Sequence, residues 1–287
     1  MRIGNAEVLR IEEYHGLGFP PEAFLPQWDA AAVLEHLHWM VPAHYSPDEG
    51  RLMGSIHSWV IRLPNLTVLV DTCSGNHKER PDSPFFSMMN SQYLKNLAAA
   101  GIEPDDVDIV FCTHLHIDHV GWNTRLLDGR WVPTFKNAKY LASRAEFERI
   151  VGAEKDFPDN QHMIRDTVQP IDESGQWLLI DTPYHITDEL HIEASPGHTE
   201  GHCHLTLTSA GQRAVFSGDI VHHPIQVHFP KWNSAACALP EIAVPTRRNI
   251  LEDLSETDAW LMPVHFARPF CCRVGKPEND GFVCVMD

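Results

Sequence analysis

The amino-acid sequence predicts an α+β protein in which two β-sheets pack together with helices on the outside. The chain has 287 residues, which is long enough to bury a large core without disulfides. Short β-rich runs come first, helical segments lie between them, and a strand-then-helix pattern recurs in the second half. Hydrophobic residues make up 43% of the chain and charged residues 21%, which argues against a mainly disordered protein.

The first half of the chain contains five predicted strands. They cover residues 5–13, 55–63, 66–71, 108–113 and 139–142. Helices are predicted over 88–100, which ends at Gly101, and over 143–151, which begins at the N-cap Ser143. Residues 14–50 are rich in Pro, His and aromatic residues and predict an extended arm with a short helix near 30–38. The predicted organisation is an N-terminal strand and arm over residues 1–50, followed by one domain over residues 51–287.

The second half continues with strands predicted over 178–180, 190–194, 203–208, 213–217, 259–262 and 281–285, and with a helix over 240–256. The seven cysteines match no disulfide framework, so most are expected to be small buried residues in a reducing compartment. The adjacent Cys271 and Cys272 are expected to lie in a strand or loop, with redox activity or soft-metal binding as the alternative.

The chain carries a strong negative charge. It has 22 Lys and Arg against 39 Asp and Glu, which gives a net charge of −17. Because a field of this sign repels phosphate backbones, no nucleic-acid partner is expected, and the predicted substrate is a small molecule. The first residues show no signal-peptide pattern, and no run of about 18 apolar residues indicates a membrane span. A cytoplasmic protein without a membrane partner is therefore predicted.

The most informative segment is His114-Leu115-His116-Ile117-Asp118-His119, which follows an apolar predicted strand. In an extended segment His114 and His116 point the same way, because side chains alternate with a period of two. Asp118 and His119 then lie in the turn beyond. One metal ion cannot easily use all four side chains from so short a loop, whereas two adjacent ions can. We call this segment the His box, and it predicts a site for two metal ions.

Three later strand ends each present one more metal-binding side chain. Gly197 permits a tight turn that presents His198. Asp219 and His265 likewise follow predicted strands through short turns. Together with the His box, these turns bring five His and two Asp to one edge of a sheet, where a carboxylate is able to bridge two ions.

In this order, the motifs resemble those of the metallo-β-lactamase superfamily. The resemblance runs from about residue 55 to the end and includes Val70-Asp71-Thr72, the His box and the three later turns. It implies an αββα sandwich with the metal site at one edge. It implies His114, His116 and His198 as ligands of one metal, Asp118, His119 and His265 as ligands of the other, and Asp219 as the bridge. Asp71 is implied to be a buried carboxylate near the site rather than a ligand.

The bridging residue narrows the expected substrate. Lactam-hydrolysing members of the best-known zinc subclass carry Cys at that position, whereas this chain has Asp219. The pattern is similar to dinuclear hydrolases such as N-acyl homoserine lactonases, glyoxalase II-type thioesterases and organophosphate hydrolases. The lactonases place a Tyr three residues after the bridging Asp, and in this chain that residue is His222.

The resemblance implies a hydrolase that uses a hydroxide bridging two divalent ions to open a lactone or a small carboxylic ester. Asp118 is expected to orient the nucleophile and shuttle its proton, and His222 is expected to act as a donor. Zn²⁺ suits the five imidazoles and two carboxylates, while Mn²⁺, Fe²⁺ and Co²⁺ stay open. Hydrolysis of an organophosphate, sulfate ester or lactam is the alternative. A di-iron redox protein is a less favoured alternative. Relatives of that kind need a flavin domain to deliver electrons, and 287 residues leave no room for one.

Other His and aromatic residues are given structural roles. His202 and His204 alternate on a predicted strand and are expected to contact their sheet neighbours. His223 and His228 are also assigned to structure. Aromatic residues in the Pro-rich loops predict a small separate core, with an apolar substrate wall or a homodimer seam as alternatives: Trp28, Trp39, Phe85 and Phe86.

Overall fold

The structure, a computed structural model, describes residues 1–278 and 280–286. The chain divides into two compact units. The first unit comprises Met1–Tyr14 and Ile56–Tyr184, and the second comprises His15–Ser55 and His185–Asp287. The predicted division into residues 1–50 and 51–287 stays a prediction, and Asn279 and Asp287 of that second segment lie outside the described residues.

The strands and helices are numbered in chain order. The strands are β1 (Arg2–Ile3), β2 (Ala6–Leu17), β3 (Tyr45–Ser46), β4 (Arg51–Leu63), β5 (Leu66–Val70), β6 (Ile109–Phe111), β7 (Thr124–Leu127), β8 (Arg130–Pro133), β9 (Lys139–Ser143), β10 (Trp177–Ile180), β11 (Tyr184–His185), β12 (Leu190–Ala194), β13 (Cys203–Ser209), β14 (Gln212–Phe216), β15 (Trp260–Leu261), β16 (Cys272–Glu278) and β17 (Gly281–Val285). The α-helices are α1 (Pro21–Phe24), α2 (Ala30–Val33), α3 (Leu37–Met40), α4 (Tyr93–Ala99), α5 (Arg144–Glu148), α6 (Pro158–Met163), α7 (Gln169–Glu173), α8 (Ile225–His228) and α9 (Pro240–Ser255). In the described part of the chain, no helix has both the length and the apolar character that a membrane crossing requires.

The first unit is built on a mixed sheet with the strand order β1-β2-β4-β5-β6-β9-β10. β4 and β5 pair antiparallel and form the predicted hairpin, whereas β5, β6, β9 and β10 run parallel. Val60, Leu69, Val110 and Tyr140 are fully buried in the core of this unit. Because the carboxyl ends of parallel strands meet at one edge of a sheet, the residues after β5 and β6 lie side by side.

The second unit contains a sheet with the order β11-β12-β13-β14-β15-β16-β17. β12, β13 and β14 are antiparallel neighbours, and β15 is parallel to β14. The strands β12, β14 and β15 therefore run in the same direction, and their carboxyl ends share one edge. Leu251 and Leu254 of α9 pack with Val215 and Leu261 in the core of this unit. The turns with His198, Asp219 and His265 follow these three strand ends, as the sequence predicts.

Some predicted elements differ from the structure. The helix predicted over 88–100 begins only at Tyr93, because the residues before it form a loop. Met88 has a φ of 53°, and the side chain of Asn76 accepts the backbone N–H of Ser91 at 2.7 Å. Such side-chain bonds compete with helical backbone bonds. The sequence analysis missed the β7–β8 hairpin, whose Asp128-Gly129 turn is a typical hairpin signal.

The cysteines follow the structural expectation. No disulfide links any of the seven, all of which lie in the described part of the chain. Cys272 lies in β16 and is buried, and Cys271 directly precedes that strand. Burial raises the pKa of the Cys271 thiol to about 11, which disfavours the reactive thiolate at neutral pH.

Candidate metal centre

Asp71 is the acceptor that organises the His box in the first unit. It directly follows β5, and the segment with Thr113 follows the neighbouring strand β6. Thr113 donates to Asp71 twice, from its backbone N–H to Oδ1 at 2.8 Å and from its hydroxyl to Oδ2 at 2.9 Å. His119 donates from Nδ1 to the same Oδ2 at 3.0 Å. Asp71 therefore holds the His box near both of its ends, which agrees with a supporting role rather than a ligand role.

The hydrogen bonds of His114 and His119 define which ring nitrogen each can offer to a metal. Because the hydroxyl hydrogen of Thr113 points to Asp71, its oxygen accepts from Nδ1 of His114 at 3.0 Å. His114 and His119 both use Nδ1–H in this way, so Nε2 is the nitrogen that can coordinate a metal.

The other box residues lie close to these two rings. The ring centroid of His114 lies 4.5 Å from that of His116 and 4.0 Å from that of His119. Asp118 places Oδ1 3.8 Å from Nε2 of His119. The structure therefore brings together the four metal-binding side chains of the predicted His box.

Backbone contacts join the loop after β5 to the segment after the His box. The N–H of Gly121 donates to the carbonyl of Cys73 at 2.6 Å, and a Cβ at Gly121 would lie only 1.8 Å from the carbonyl oxygen of Ser74. Only glycine permits this approach. Glu13 accepts from the N–H of Ser74 at 2.7 Å and from the indole of Trp122 at 2.6 Å. The loop with Asp71 and the His box are thereby held in one rigid arrangement.

His116 is kept neutral by its surroundings. Burial, aided by the nearby Arg149 guanidinium, lowers its pKa to about 4. Arg149 is paired with the buried Glu146, which also accepts the N–H of Leu115 at 2.9 Å. A neutral imidazole is the form that binds metal, so His116 is ready for coordination at neutral pH.

In the second unit, three imidazoles surround the carboxylate of Asp219. Nε2 of His198 lies 3.2 Å and Nε2 of His222 lies 3.0 Å from Oδ2. Nε2 of His265 lies 3.1 Å from Oδ1. Asp219 is only 4% exposed, so this carboxylate and its imidazoles form a compact polar group inside the unit.

Two of these imidazoles are held through Nδ1. His265 donates from Nδ1 to the carbonyl of Ser55 at 3.0 Å, and the N–H of Ser55 donates back to the carbonyl of His265 at 3.0 Å. Nδ1 of His198 lies 3.7 Å from Sγ of Cys237. As in the first unit, Nε2 is the nitrogen that can coordinate a metal. The donor set therefore fits divalent ions such as Zn²⁺.

The predicted tight turn before His198 is confirmed. Gly197 has a φ of 133°, and a Cβ there would lie 2.3 Å from the Cα of Ala243. The carbonyl of Gly197 accepts from Leu239, and the carbonyl of His198 accepts from Ala238 at 2.8 Å. Helix α9 and the segment before it thus fix the turn that presents His198.

His222 lies against the Asp219 carboxylate rather than on the surface. Its backbone N–H and that of His223 both donate to Oε1 of Gln226, at 2.8 and 3.1 Å. The ring of Phe24 meets its ring edge-on at 5.5 Å. Burial lowers the pKa of His222, although the negative charge of Asp219 opposes this shift. In the neutral form, Nε2–H donates to Asp219.

The neighbouring histidines have structural contacts, as predicted. His223 donates from Nε2 to the carbonyl of His44 at 2.9 Å and accepts the N–H of Ile225 on Nδ1 at 3.2 Å. The ring of His228 stacks on Trp39 with centroids 5.2 Å apart.

Two contributors to the second unit's site escaped the sequence analysis. His202 was expected to contact only sheet neighbours, but its Nε2 accepts the backbone N–H of Asp219 at 3.1 Å. Arg247 of α9 is buried and donates to the carbonyls of Ile220 and Trp232, at 2.6 and 3.0 Å. A buried Arg on a helix has no sequence pattern that distinguishes it from an exposed one.

With this geometry established, comparison with known proteins defines the family. Residues 52–265 match the model of the Metallo-beta-lactamase superfamily, which covers more than half of the chain. The chain belongs to this superfamily.

Curated relatives share limited segments with this chain. An N-acyl homoserine lactonase from Bacillus sp is 26% identical over 111 residues, which span 39% of this chain and 37% of the relative. The N-acyl homoserine lactonase AiiB from Agrobacterium fabrum is 25% identical over 154 residues, half of each chain. The probable metallo-hydrolase MJ0296 from Methanocaldococcus jannaschii is 39% identical over 59 residues, 21% of this chain and 25% of the relative. The chain thus spans half or less of the length of each relative.

Solved structures extend the likeness over the whole chain. The hydrolase AbOPH of the beta lactamase superfamily has a TM-score of 0.83 at 20% identity and covers 100% of this chain and 96% of its own. AidC, a dizinc quorum-quenching lactonase solved with a product, has a TM-score of 0.77 at 20% identity with the same coverage. At these identities the likeness establishes the fold, and it confirms the predicted α+β, metallo-β-lactamase-like class.

Proposed function

We propose that this chain is a dinuclear metallohydrolase that opens a lactone or a small carboxylic ester. The observation that carries this proposal is the carboxylate of Asp219, which three imidazole Nε2 atoms approach within 3.0–3.2 Å. A carboxylate in such a setting is suited to bridge two ions. The proposed ligands are His114, His116 and His198 for one ion, Asp118, His119 and His265 for the other, and Asp219 for both.

The bound ions would supply a water acidic enough to ionise at neutral pH and positive charge for a developing oxyanion. The chain's own residues do the remaining work. Asp118, beside Nε2 of His119, is placed to accept the proton of the attacking water and deliver it to the leaving alkoxide. Asp71 holds His119 directly, and His114 through the hydroxyl of Thr113, in the tautomer that offers Nε2.

We propose that His222 makes two contributions in turn. Its neutral ring donates Nε2–H to Asp219, which steadies the bridging carboxylate. We propose that this hydrogen bond is its resting role. Donation to a substrate oxyanion would use the same Nε2–H and therefore requires that hydrogen to turn away from Asp219.

The surroundings of His222 support an ester with an apolar substituent. Phe24 packs edge-on against His222, and Phe19 stacks on Phe24 with ring centroids 5.6 Å apart. Phe19 is 36% exposed, so an aromatic surface leads from solvent to His222. An acyl or alkyl group attached to a lactone would gain apolar contact there. The lactonase names of several relatives point to the same class.

We propose a small-molecule substrate and a cytoplasmic protein without nucleic-acid or membrane partners, supported by the net charge of −17. A homodimer stays a prediction.

Metal analysis combined with a substrate panel tests the proposed function. Protein purified without chelator is expected to contain about two divalent ions per chain, with Zn²⁺ favoured over Mn²⁺, Fe²⁺ and Co²⁺. The panel compares lactones and simple esters with a phosphotriester, a sulfate ester and a β-lactam. A stoichiometry of one or less after reconstitution would overturn the dinuclear site. Faster turnover of a phosphotriester, sulfate ester or lactam would replace the substrate class, and redox-active iron without hydrolysis would favour the di-iron alternative.

A further inference from the structure

His202 connects two turns of the second unit that carry proposed metal ligands. Its Nδ1 lies 2.9 Å from Oγ of Ser195, which begins the turn that presents His198. Its Nε2 accepts the backbone N–H of Asp219 at 3.1 Å. His202 is 1% exposed and Ser195 is fully buried, so water does not compete for these hydrogen bonds. One imidazole therefore spans the interval between the His198 turn and the Asp219 turn.

The hydrogen bonds also define the tautomer of His202. Because a backbone N–H can only donate, Nε2 of His202 is an acceptor, and the neutral ring carries its proton on Nδ1. That proton is donated to the hydroxyl of Ser195. The backbone N–H of Ser195 donates to the carbonyl of His202 at 2.8 Å, which closes the pair. The ring is held on both sides and has little freedom to turn.

The turn that His202 supports has an irregular backbone. Gly218 has a φ of 49°, and Asp219 has φ and ψ of −95° and 18°, outside the regular helical values. Rotation of the peptide before Asp219 would swing the carboxylate that His198, His222 and His265 approach. A hydrogen bond to the N–H of Asp219 is therefore placed to keep that carboxylate in position.

We infer that His202 is a positioning residue, which sets the Asp219 carboxylate relative to His198 so that both can bind metal. This inference rests on the proposed metal centre. His202 touches no substrate in this role. It acts through the backbone N–H of Asp219, and the hydroxyl of Ser195 holds the ring so that Nε2 is the acceptor.

The chain offers a matched control two residues further along, in β13. His204 is also buried, at 7% exposure, but its Nε2 contacts Glu193, the residue opposite it in the β12–β13 pair, at 3.5 Å. The two histidines are thus close in sequence and both buried, but they differ in what they support. His204→Gln therefore measures how much Zn²⁺ affinity and stability are lost when a buried His away from the proposed ligands is changed.

Three substitutions separate the two links of His202. His202→Gln keeps an oxygen near the position of Nε2, which can still accept the Asp219 N–H. His202→Asn places its polar atoms near Nδ1, within reach of Ser195 but short of Asp219. His202→Phe removes both hydrogen bonds and keeps a ring. The measurement is the Zn²⁺ dissociation constant of each variant, from competition with a chromophoric chelator, with the unfolding midpoint of the metal-free protein measured alongside.

We expect His202→Phe and His202→Asn to weaken Zn²⁺ binding by about 10- to 100-fold, the effect usual for residues that orient metal ligands. His202→Gln is expected to stay within about threefold of the unmodified protein, as is His204→Gln. If Asn and Gln weaken binding equally, or if Asn binds as tightly as the unmodified protein, the inference is wrong. If His202→Phe does not fold, the difference in Zn²⁺ affinity between His202→Asn and His202→Gln still tests the inference.

The outcome is distinguishable from a failure of the proposed function. If the unmodified protein binds no Zn²⁺, the metal centre itself is wrong. If it binds two ions and loses neither affinity nor stoichiometry on His202→Asn, only the role of His202 is wrong. A purely structural His202 would lower the unfolding midpoint of the metal-free protein in Asn and Gln alike and leave the dissociation constants unchanged.

Discussion

The two units hold their His and Asp residues by different means. In the first unit, four side chains come from the six-residue His box, and one carboxylate, Asp71, organises them from the neighbouring strand. In the second unit, His198, Asp219 and His265 come from three turns that are far apart in the sequence. Their supports are varied and include a carbonyl, a thiol and the imidazole of His202.

This difference has a consequence for tolerance to substitution. A continuous segment keeps its residues together even when one support is lost, because the covalent chain limits their separation. Turns from separate strands depend on every hydrogen bond that links them. Supporting residues in the second unit are therefore expected to matter more for metal binding than comparable residues in the first.

The largest expected effect comes from removing one proposed ligand in each unit. Asp219→Asn and His116→Ala are each expected to lower kcat/KM by at least about 10⁴-fold, which corresponds to about 5.5 kcal/mol of transition-state stabilisation. Both residues follow strand ends rather than forming the apolar core, so cooperative unfolding should persist. Steady-state kinetics and thermal unfolding measure the two effects.

Two substitutions outside the site, one of a carboxylate and one of an imidazole, serve as controls for this pair. Asp253→Asn changes a half-exposed residue that pairs with Arg213, and His162→Ala changes a partly exposed residue near Glu79. Both are expected to retain activity within about twofold. Loss of cooperative unfolding together with activity in Asp219→Asn would mean that the residues hold a structural metal instead.

The next largest effect concerns how each unit stabilises a buried cation. In the first unit, Asp166 accepts from Arg80 at 2.7 and 3.0 Å and from Lys78 at 3.2 Å, and both cations are fully buried. Asp166→Asn leaves the buried Arg80 guanidinium without its carboxylate and is expected to cost about 3–5 kcal/mol of unfolding free energy. Chemical denaturation measures it.

The second unit surrounds its buried cation, Arg247, with neutral acceptors instead of a carboxylate. Arg247 donates to backbone carbonyls and to Oδ1 of Asn233 at 3.0 Å. Asn233→Ala is expected to cost about 1.5–3 kcal/mol, less than Asp166→Asn, because it removes one neutral acceptor. The half-exposed pair of Arg62 and Glu7 is the control, and Glu7→Gln should cost less than about 1 kcal/mol. A larger loss in Asn233→Ala than in Asp166→Asn would reverse the comparison.

Among the effects on catalysis, a smaller one than at the proposed ligands is expected at His222. His222→Phe keeps the contact with Phe24 but removes the hydrogen bond to Asp219, and kcat is expected to fall about 10²-fold, or about 2.7 kcal/mol. The readouts are kcat, KM and metal content. A kcat within about twofold of the unmodified protein, with two metals still bound, would show that His222 only packs beside its neighbours.

Much of the candidate site could be predicted from the sequence because its proposed ligands follow simple local rules. The His box is a short segment after an apolar strand, and alternation along an extended chain places His114 and His116 together. The turns with His198, Asp219 and His265 each follow a strand whose hydrophobic pattern is clear. The order of these motifs was specific enough to indicate the family before any geometry was known.

The supports of the ligands depended on tertiary structure. Asp71 and Thr113 are 42 residues apart, and Ser55 and His265 are 210 apart. The pairing of strands that are distant in the sequence decides which group accepts each Nδ1–H. The residue types alone do not identify that group. His202 shows this most directly. In the sequence it is one of two alternating histidines like His204, and only the folded turn before Asp219 distinguishes them, because a backbone N–H becomes a specific partner when its position is fixed.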